Sequence, residues 1–225
     1  MDFRLHSLTA APPTPLGVSE IRDLVEGILA EDALPPIVQA GHPVLRQHAA
    51  AYEGQLDDST LYQLIDVMRR TMHDAPGVGL AAPQIGVPLQ LAVLEDQFDV
   101  DPAAATIRER RPLDFFAMLN PVYSSIGADT ASFYEGCLSV RGYQAVVTRH
   151  RQVALDYVRP DGSSVHAEFS GWQARIVQHE TDHLHGALYL DRAETRSLAS
   201  NEEYSARWAQ PGVSQAGAEL GFPPG

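Results

Sequence analysis

Residues 179–183 read His-Glu-Thr-Asp-His. Histidines four apart lie on one face of a helix, so both imidazoles can reach a single cation, with Glu180 projecting beside them. Two nitrogen ligands and a neighbouring carboxylate suit metal-assisted hydrolysis. They do not close a site, because catalytic centres normally keep three protein ligands and one exchangeable position. Downstream, the third ligand could come from His185, Asp191, Glu194, Glu202 or Glu203. His185 stands two positions after His183 and points to a different side of the helix, which makes it a poor ligand. The alternative is Cys137, the only cysteine, within Tyr134-Glu135-Gly136-Cys137-Leu138-Ser139. A free cysteine is commonly a small buried hydrophobe, so the thiol and the downstream acids both stay open on these residues alone.

The elements that must position these groups are partly legible. The helix bearing the two histidines is expected to open at Ser170, with Gln173 completing a capping box, and to stop at Gly186. Before it, Val153, Leu155 and Tyr157 alternate, and Pro160-Asp161-Gly162 should fold Val165–Phe169 back as a hairpin. Leu89, Leu91 and Val93 also alternate, while Phe115–Leu119 and Ala145–Val147 are apolar runs of strand length. Two amphipathic helices precede them. One opens at Ser19 and buries Ile21, Leu24, Val25, Ile28 and Leu29; the other runs from Asp58 to His73 behind Leu61, Leu64, Ile65, Met68 and Met72. Residues 96–112 read as a polar loop. Residues 197–225, rich in Ser, Ala, Gln, Gly and Pro, read as a flexible tail. The expected fold is α+β, with mixed, mainly antiparallel sheets around the helix of His179 and His183. The expected division is an extension with one helix over 1–36, a catalytic domain over 37–196 and the tail.

Composition narrows the rest. A chain of 225 residues, 44% hydrophobic, supports one domain with a real core or two small ones. No run approaches the ~18 apolar residues of a membrane-crossing helix. The net charge of -13 argues against a stable nucleic-acid complex. All 16 basic residues are arginine, which removes lysine Schiff-base chemistry. One cysteine excludes an internal disulfide framework, so nothing calls for an oxidising compartment. The first residues lack an apolar core before a cleavage site, and Glu20, Asp23 and Glu26 disfavour a transit peptide, so no leader is expected.

Three ordered motifs then form a signature: Gly77-Val78-Gly79-Leu80-Ala81-Ala82-Pro83-Gln84, Glu135-Gly136-Cys137-Leu138-Ser139, and Gln178-His179-Glu180-Thr181-Asp182-His183-Leu184-His185-Gly186. With them, the chain resembles the peptide deformylases over about residues 37–192, Ile37–Arg46 looking like the family's start. The resemblance implies removal of the formyl group from the initiator methionine of nascent peptides, releasing formate. It implies one divalent ion on Cys137, His179 and His183, commonly Fe²⁺ and replaceable by Zn²⁺, Ni²⁺ or Co²⁺. Glu180 would be the general base and then acid, with the Gln84 amide and the Leu138 backbone N–H as oxyanion donors. Val78 and Gly79, with Glu135 and Gly136, would border an extended substrate, Gly77 and Gly79 letting the backbone come close to it. By analogy Val78, Phe133, Trp172 and Ile176 would form the methionine pocket. Arg141 stands where the family usually has proline, and Gln144 lies where an arginine is often found. The partners implied are N-formylmethionyl nascent peptides and a transient encounter with the ribosome in the bacterial cytoplasm; a monomer and a dimer are equally compatible. A separate expectation pairs Asp182 with Arg149 across the helix and a strand, against a solvated Asp182.

Overall fold

A computed structural model of the chain describes residues 16–223. The expected absence of a leader concerns residues that lie mostly outside that range. Among the described residues, no helix is long and apolar enough to cross a membrane.

Two helices open the described chain. Helix α1 (Val18–Ala30) and α2 (Asp58–Asp74) pack together through Ile21 and Val25 against Leu61, Leu64, Ile65 and Met68, the stripes their periodicity predicts. α1 begins one residue before the expected Ser19 cap: Gly17 precedes it, and the Gly17 N–H donates to Glu20 Oε2 at 2.7 Å. α2 is capped by Asp57, which accepts from the Thr60 N–H at 2.9 Å.

Among the described residues, eight strands form two antiparallel sheets. The larger has the order β1 (Gly79–Ala81), β2 (Leu91–Asp96), β3 (Leu113–Ser125), β6 (Gln152–Val158), β7 (Ser164–Ser170). The smaller has the order β4 (Thr130–Cys137), β5 (Val140–His150), β8 (Ala193–Ser200). A single parallel bridge joins Ala50 to Leu89. The β6–β7 hairpin forms where alternation and the Pro-Asp-Gly turn place it, with Val153 opposite Phe169 and Tyr157 opposite Val165.

Helix α4 (Gly171–Leu184) carries His179 and His183 and packs against the larger sheet. Ala174, Ile176, Val177 and Leu184 meet Ala92, Leu94, Met118, Val153 and Leu155. Fully burying each Val, Leu or Ile contributes about 1.5–3 kcal/mol, so this face alone anchors the helix firmly. The opposite face is polar yet also buried: Arg175, Gln178, Glu180, Asp182 and His183 are all shielded from solvent. Buried polar groups must find partners, and those partners define the site.

Three expectations are corrected. Ser170 precedes α4 but makes no capping hydrogen bond, because it is the last residue of β7 and pairs with Gln152; Gln173 instead donates to the Pro112 carbonyl at 2.7 Å. The helix does stop as expected, with Gly186 at φ +74°, where an added Cβ would sit 2.8 Å from the Arg46 carbonyl carbon. The 96–112 loop contains a short helix, α3 (Pro102–Ile107), started by Asp101 accepting from the Ala103 and Ala104 N–H groups. Residues 197–223 are not a loose tail. β8 runs through Ser200, and α5 (Asn201–Glu203) continues into a π-helical turn, Tyr204–Trp208, before α6 (Ser214–Leu220). Trp208, Val213, Ala216 and Phe222 close over Tyr134 and Val146, a cluster built from irregularly spaced apolar residues that no single period reveals.

Candidate active site

The thiol and the two imidazoles arrive from different elements. β4 is an outer strand of its sheet and ends at Cys137, where the pairing register with β5 shifts after Gly136. α4 presents His179 and His183 one turn apart, their ring centroids 4.9 Å from each other. One ligand atom from each of Cys137, His179 and His183 lies within 4.8 Å of the others, and Cys137 Sγ is 3.2 Å from His183 Nε2. Three of the downstream candidates are engaged elsewhere. His185 Nδ1 bonds the Thr181 carbonyl, Asp191 pairs with Arg46 and accepts from the Leu188 N–H, and Glu194 accepts from the Arg196 N–H. Among the described residues, the lone thiol completes the cluster.

Behind the imidazoles lies a buried ionic network. Glu135 receives Arg149 Nε at 2.7 Å and Arg149 Nη2 at 3.0 Å, Arg175 Nη1, and His179 Nδ1 at 2.9 Å. Arg149 Nη1 reaches Asp182 Oδ2 at 2.8 Å, and Arg192 binds both Asp182 oxygens. Asp182 therefore pairs with Arg149 and is not a solvated helix residue. Taking several charges out of water is costly, and the network repays that only because every carboxylate oxygen is bonded. Burial pushes the Glu135 pKa up, but Arg149, His179 and Arg175 overcome it and hold the carboxyl well below its usual range.

Burial opposes a charge on His179, yet Cys137 and Glu135 together hold its pKa well above the ordinary imidazole value. His183 is held well below it, by burial and then by His179. A sulfur and two ring nitrogens are the donor set of a soft-leaning divalent metal.

Beside the cluster, Glu180 is buried and its Oε2 has no protein partner. Burial raises its pKa to about 7, His179 and Arg149 opposing that rise. Its side chain lies flat against Gly79: an added Cβ there would sit 2.5 Å from Glu180 Cδ and 2.6 Å from Cγ. At Gly77 the same atom would meet Leu138 Cδ1 at 2.8 Å. These glycines make room for protein side chains, a reason the motif did not suggest. Gln84 is fixed end-on. Its Oε1 accepts from the Ala81 N–H at 2.8 Å, so Nε2 faces Ser139 Oγ at 3.2 Å and Cys137 Sγ at 3.6 Å.

A cleft of about 600 Å³ runs along these groups, between the outer strands β1 and β4. Val78, Gly79, Gly136, Leu138, Trp172 and Ile176 line it as expected. Glu135 also borders it, but its carboxylate is taken up by the network behind. Phe133 does not: its ring lies under the Arg175 guanidinium and 6.2 Å from Trp172, facing a small hollow on the far side. Tyr143, shortly after the cysteine motif, also lines the cleft, as do Arg108, Asn201 and Tyr204, which no motif includes. Nothing in their spacing links them to the motifs; chain topology alone brings them together.

Residues 34–199 match the family model described as polypeptide deformylase. The chain belongs to the polypeptide deformylase family. It is 52% identical to peptide deformylase 3 of Streptomyces avermitilis over 211 residues, 94% of each chain. It is 50% identical to peptide deformylase 1 of Streptomyces coelicolor over 209 residues, 93% of this chain and 96% of the relative. The Met-Ala-Ser-bound crystal structure of class I type b peptide deformylase from Acinetobacter baumannii superposes with a TM-score of 0.64 at 32% identity, covering 72% of this chain and 99% of that one. The activity is accordingly that of the family, metal-dependent hydrolysis that removes the N-formyl group from nascent polypeptides.

Proposed function

We propose that Cys137, His179 and His183 hold one divalent cation, natively Fe²⁺, and that Glu180, Gln84 and the Leu138 N–H act on the formyl group of an N-formylmethionyl peptide. The observation that carries this reading is the meeting of one thiol and two imidazoles beside a buried carboxylate with a free Oε2. A bound divalent ion supplies Lewis acidity toward water and carbonyl oxygen, and the sulfur donor favours Fe²⁺ while admitting Zn²⁺, Ni²⁺ or Co²⁺.

Glu180 takes a proton at Oε2 from the attacking water and later delivers it to the departing methionine nitrogen. A pKa of about 7 suits both halves of that task near neutrality. Gln84 Nε2, its orientation locked by Ala81, and the Leu138 N–H donate to the negative charge that develops on the formyl oxygen. The peptide backbone lies extended along Val78, Gly79 and Gly136, using the outer strands as an edge to pair with. Val78, Trp172 and Ile176 receive the methionine side chain. The Acinetobacter relative, whose crystal structure is Met-Ala-Ser-bound, supports a short methionyl peptide as the occupant. We further propose that the enzyme works in the cytoplasm of a bacterium, meeting ribosomes only in passing.

The test is formate release from formyl-Met-Ala-Ser by protein loaded anaerobically with Fe²⁺ or Ni²⁺. Turnover is expected; a metal-loaded protein that releases no formate overturns the assignment of roles.

A further inference from the structure

The segment after β8 lies outside the family-model match, yet it builds part of the cleft. Asn201 and Tyr204 both line it. The Asn201 Oδ1 accepts from Gln144 Nε2 at 3.2 Å, and Gln144 faces Gly136 across the β4–β5 pair, one residue before Cys137. The Tyr204 ring lies 5.0 Å from that of Tyr134, which shares a face of β4 with Gly136. Tyr204 also opens the π-helical turn, a departure from α-geometry frequent at functional sites. Two clamps hold the segment: Arg108 donates to the carbonyls of Gln210 and Pro211 at 3.0 Å each, and Arg196 donates to the Leu220 carbonyl at 2.8 Å. Arg108 itself lines the cleft, so the 97–112 loop and the C-terminal segment are tied together at its mouth.

Along a strand each residue advances roughly 3.3 Å, so Tyr134 and its Tyr204 cover sit about 10 Å from the Cys137 end of β4. A peptide held with its formyl group at Cys137 would bring its second or third residue to that distance. From this we infer that Tyr204, with Asn201 holding Gln144, is a specificity-determining wall for the residues that follow methionine, favouring an aromatic side chain there. The inference rests on the deformylase reading of the cleft above.

The experiment compares kcat/KM for formyl-Met-Ala-Phe amide with that for formyl-Met amide, which ends before the wall. In Tyr204→Ala the ratio of the two should fall about three- to tenfold, the worth of one aromatic contact, chiefly through KM. Tyr204→Phe should keep the ratio, since no hydrogen bond of the Tyr204 hydroxyl is used. Asn201→Ala, which leaves the apolar cluster intact, should lower it in the same direction. If the alanine variant fails to fold, Tyr204→Leu repeats the measurement with the packing retained. An unchanged ratio in Tyr204→Ala or its leucine substitute, or an equal fall in Tyr204→Phe, overturns the inference. No formate from either substrate with the wild-type protein would instead reject the deformylase reading.

Discussion

The carboxylate of Glu135 holds His179 from behind, its Oε2 accepting from Nδ1 at 2.9 Å and leaving Nε2 as the nitrogen the proposed metal would take. Partners of this kind fix the tautomer and aim of a metal-binding histidine. Glu135→Gln should therefore weaken metal affinity about 10- to 100-fold, read by competition against a chelator. An unchanged affinity would show that His179 is aimed by α4 alone.

Ligand and base should separate cleanly. Cys137→Ala is expected to lose bound metal and activity together. Glu180→Gln is expected to keep one metal per chain while kcat falls about 10²- to 10⁴-fold. Metal content by elemental analysis, beside formate release, checks both; a Cys137→Ala protein that still binds metal stoichiometrically would remove the thiol from the ligand set.

Gly79→Ala places a methyl 2.5 Å from Glu180 Cδ, and β1 is walled in on both faces. Glu180 must swing or the strand must shift. Stability should drop by about 1–3 kcal/mol, as in overpacked cores. Activity should fall further than metal content does. Denaturant unfolding and kinetics on the same preparation measure the two effects, and full activity would refute the contact.

Arg149 neutralises two buried carboxylates at once. Arg149→Met leaves Glu135 and Asp182 short of a partner, and breaking a buried pair typically costs about 3–5 kcal/mol. Urea titration should show that loss even in metal-free protein. A shift below ~1 kcal/mol would mean that Arg175 and Arg192 carry the network without it.

Acid should loosen the seam between α2 and β2. Glu95 joins Arg69 and His73, and the Arg69 hydrogen bonds hold its pKa below the usual carboxylate value. Its folded pKa is depressed, so its contribution is complete above the unfolded value of about 4.3 and is lost as pH falls through the folded one. Glu95→Gln should flatten the acid side of the stability–pH curve and leave its slope above pH 6 unchanged. Identical acid limbs in the two proteins would contradict this.

The sequence disclosed the parts of the site whose residue types are rare and whose spacing is local. His179 and His183 declare a helix face, and Cys137 has no competitor among thiols. The β6–β7 hairpin was legible because Val153, Leu155 and Tyr157 alternate into a Pro-Asp-Gly turn. Glu135 was harder: the resemblance implies that it borders the substrate, but not that Arg149, Arg175 and His179 turn its carboxylate inward. Ser170 carried a cap signal that the β7 ladder overrode. The C-terminal cluster was invisible because Tyr204, Trp208, Val213 and Phe222 come from short turns with no common period, and their burial depends on Tyr134 and Val146 far upstream.

The late position of the Asn201–Trp208 segment has a bearing on how the molecule comes into being. Cys137, Glu180 and the two histidines are all synthesised before it, so during translation the reactive groups exist while one side of the groove is still missing. The mouth is complete only when the chain has passed Pro211 and the Arg108 clamp can close on it. On the role proposed for Tyr204, selectivity for the residues after methionine is assembled later than the ligand and base residues.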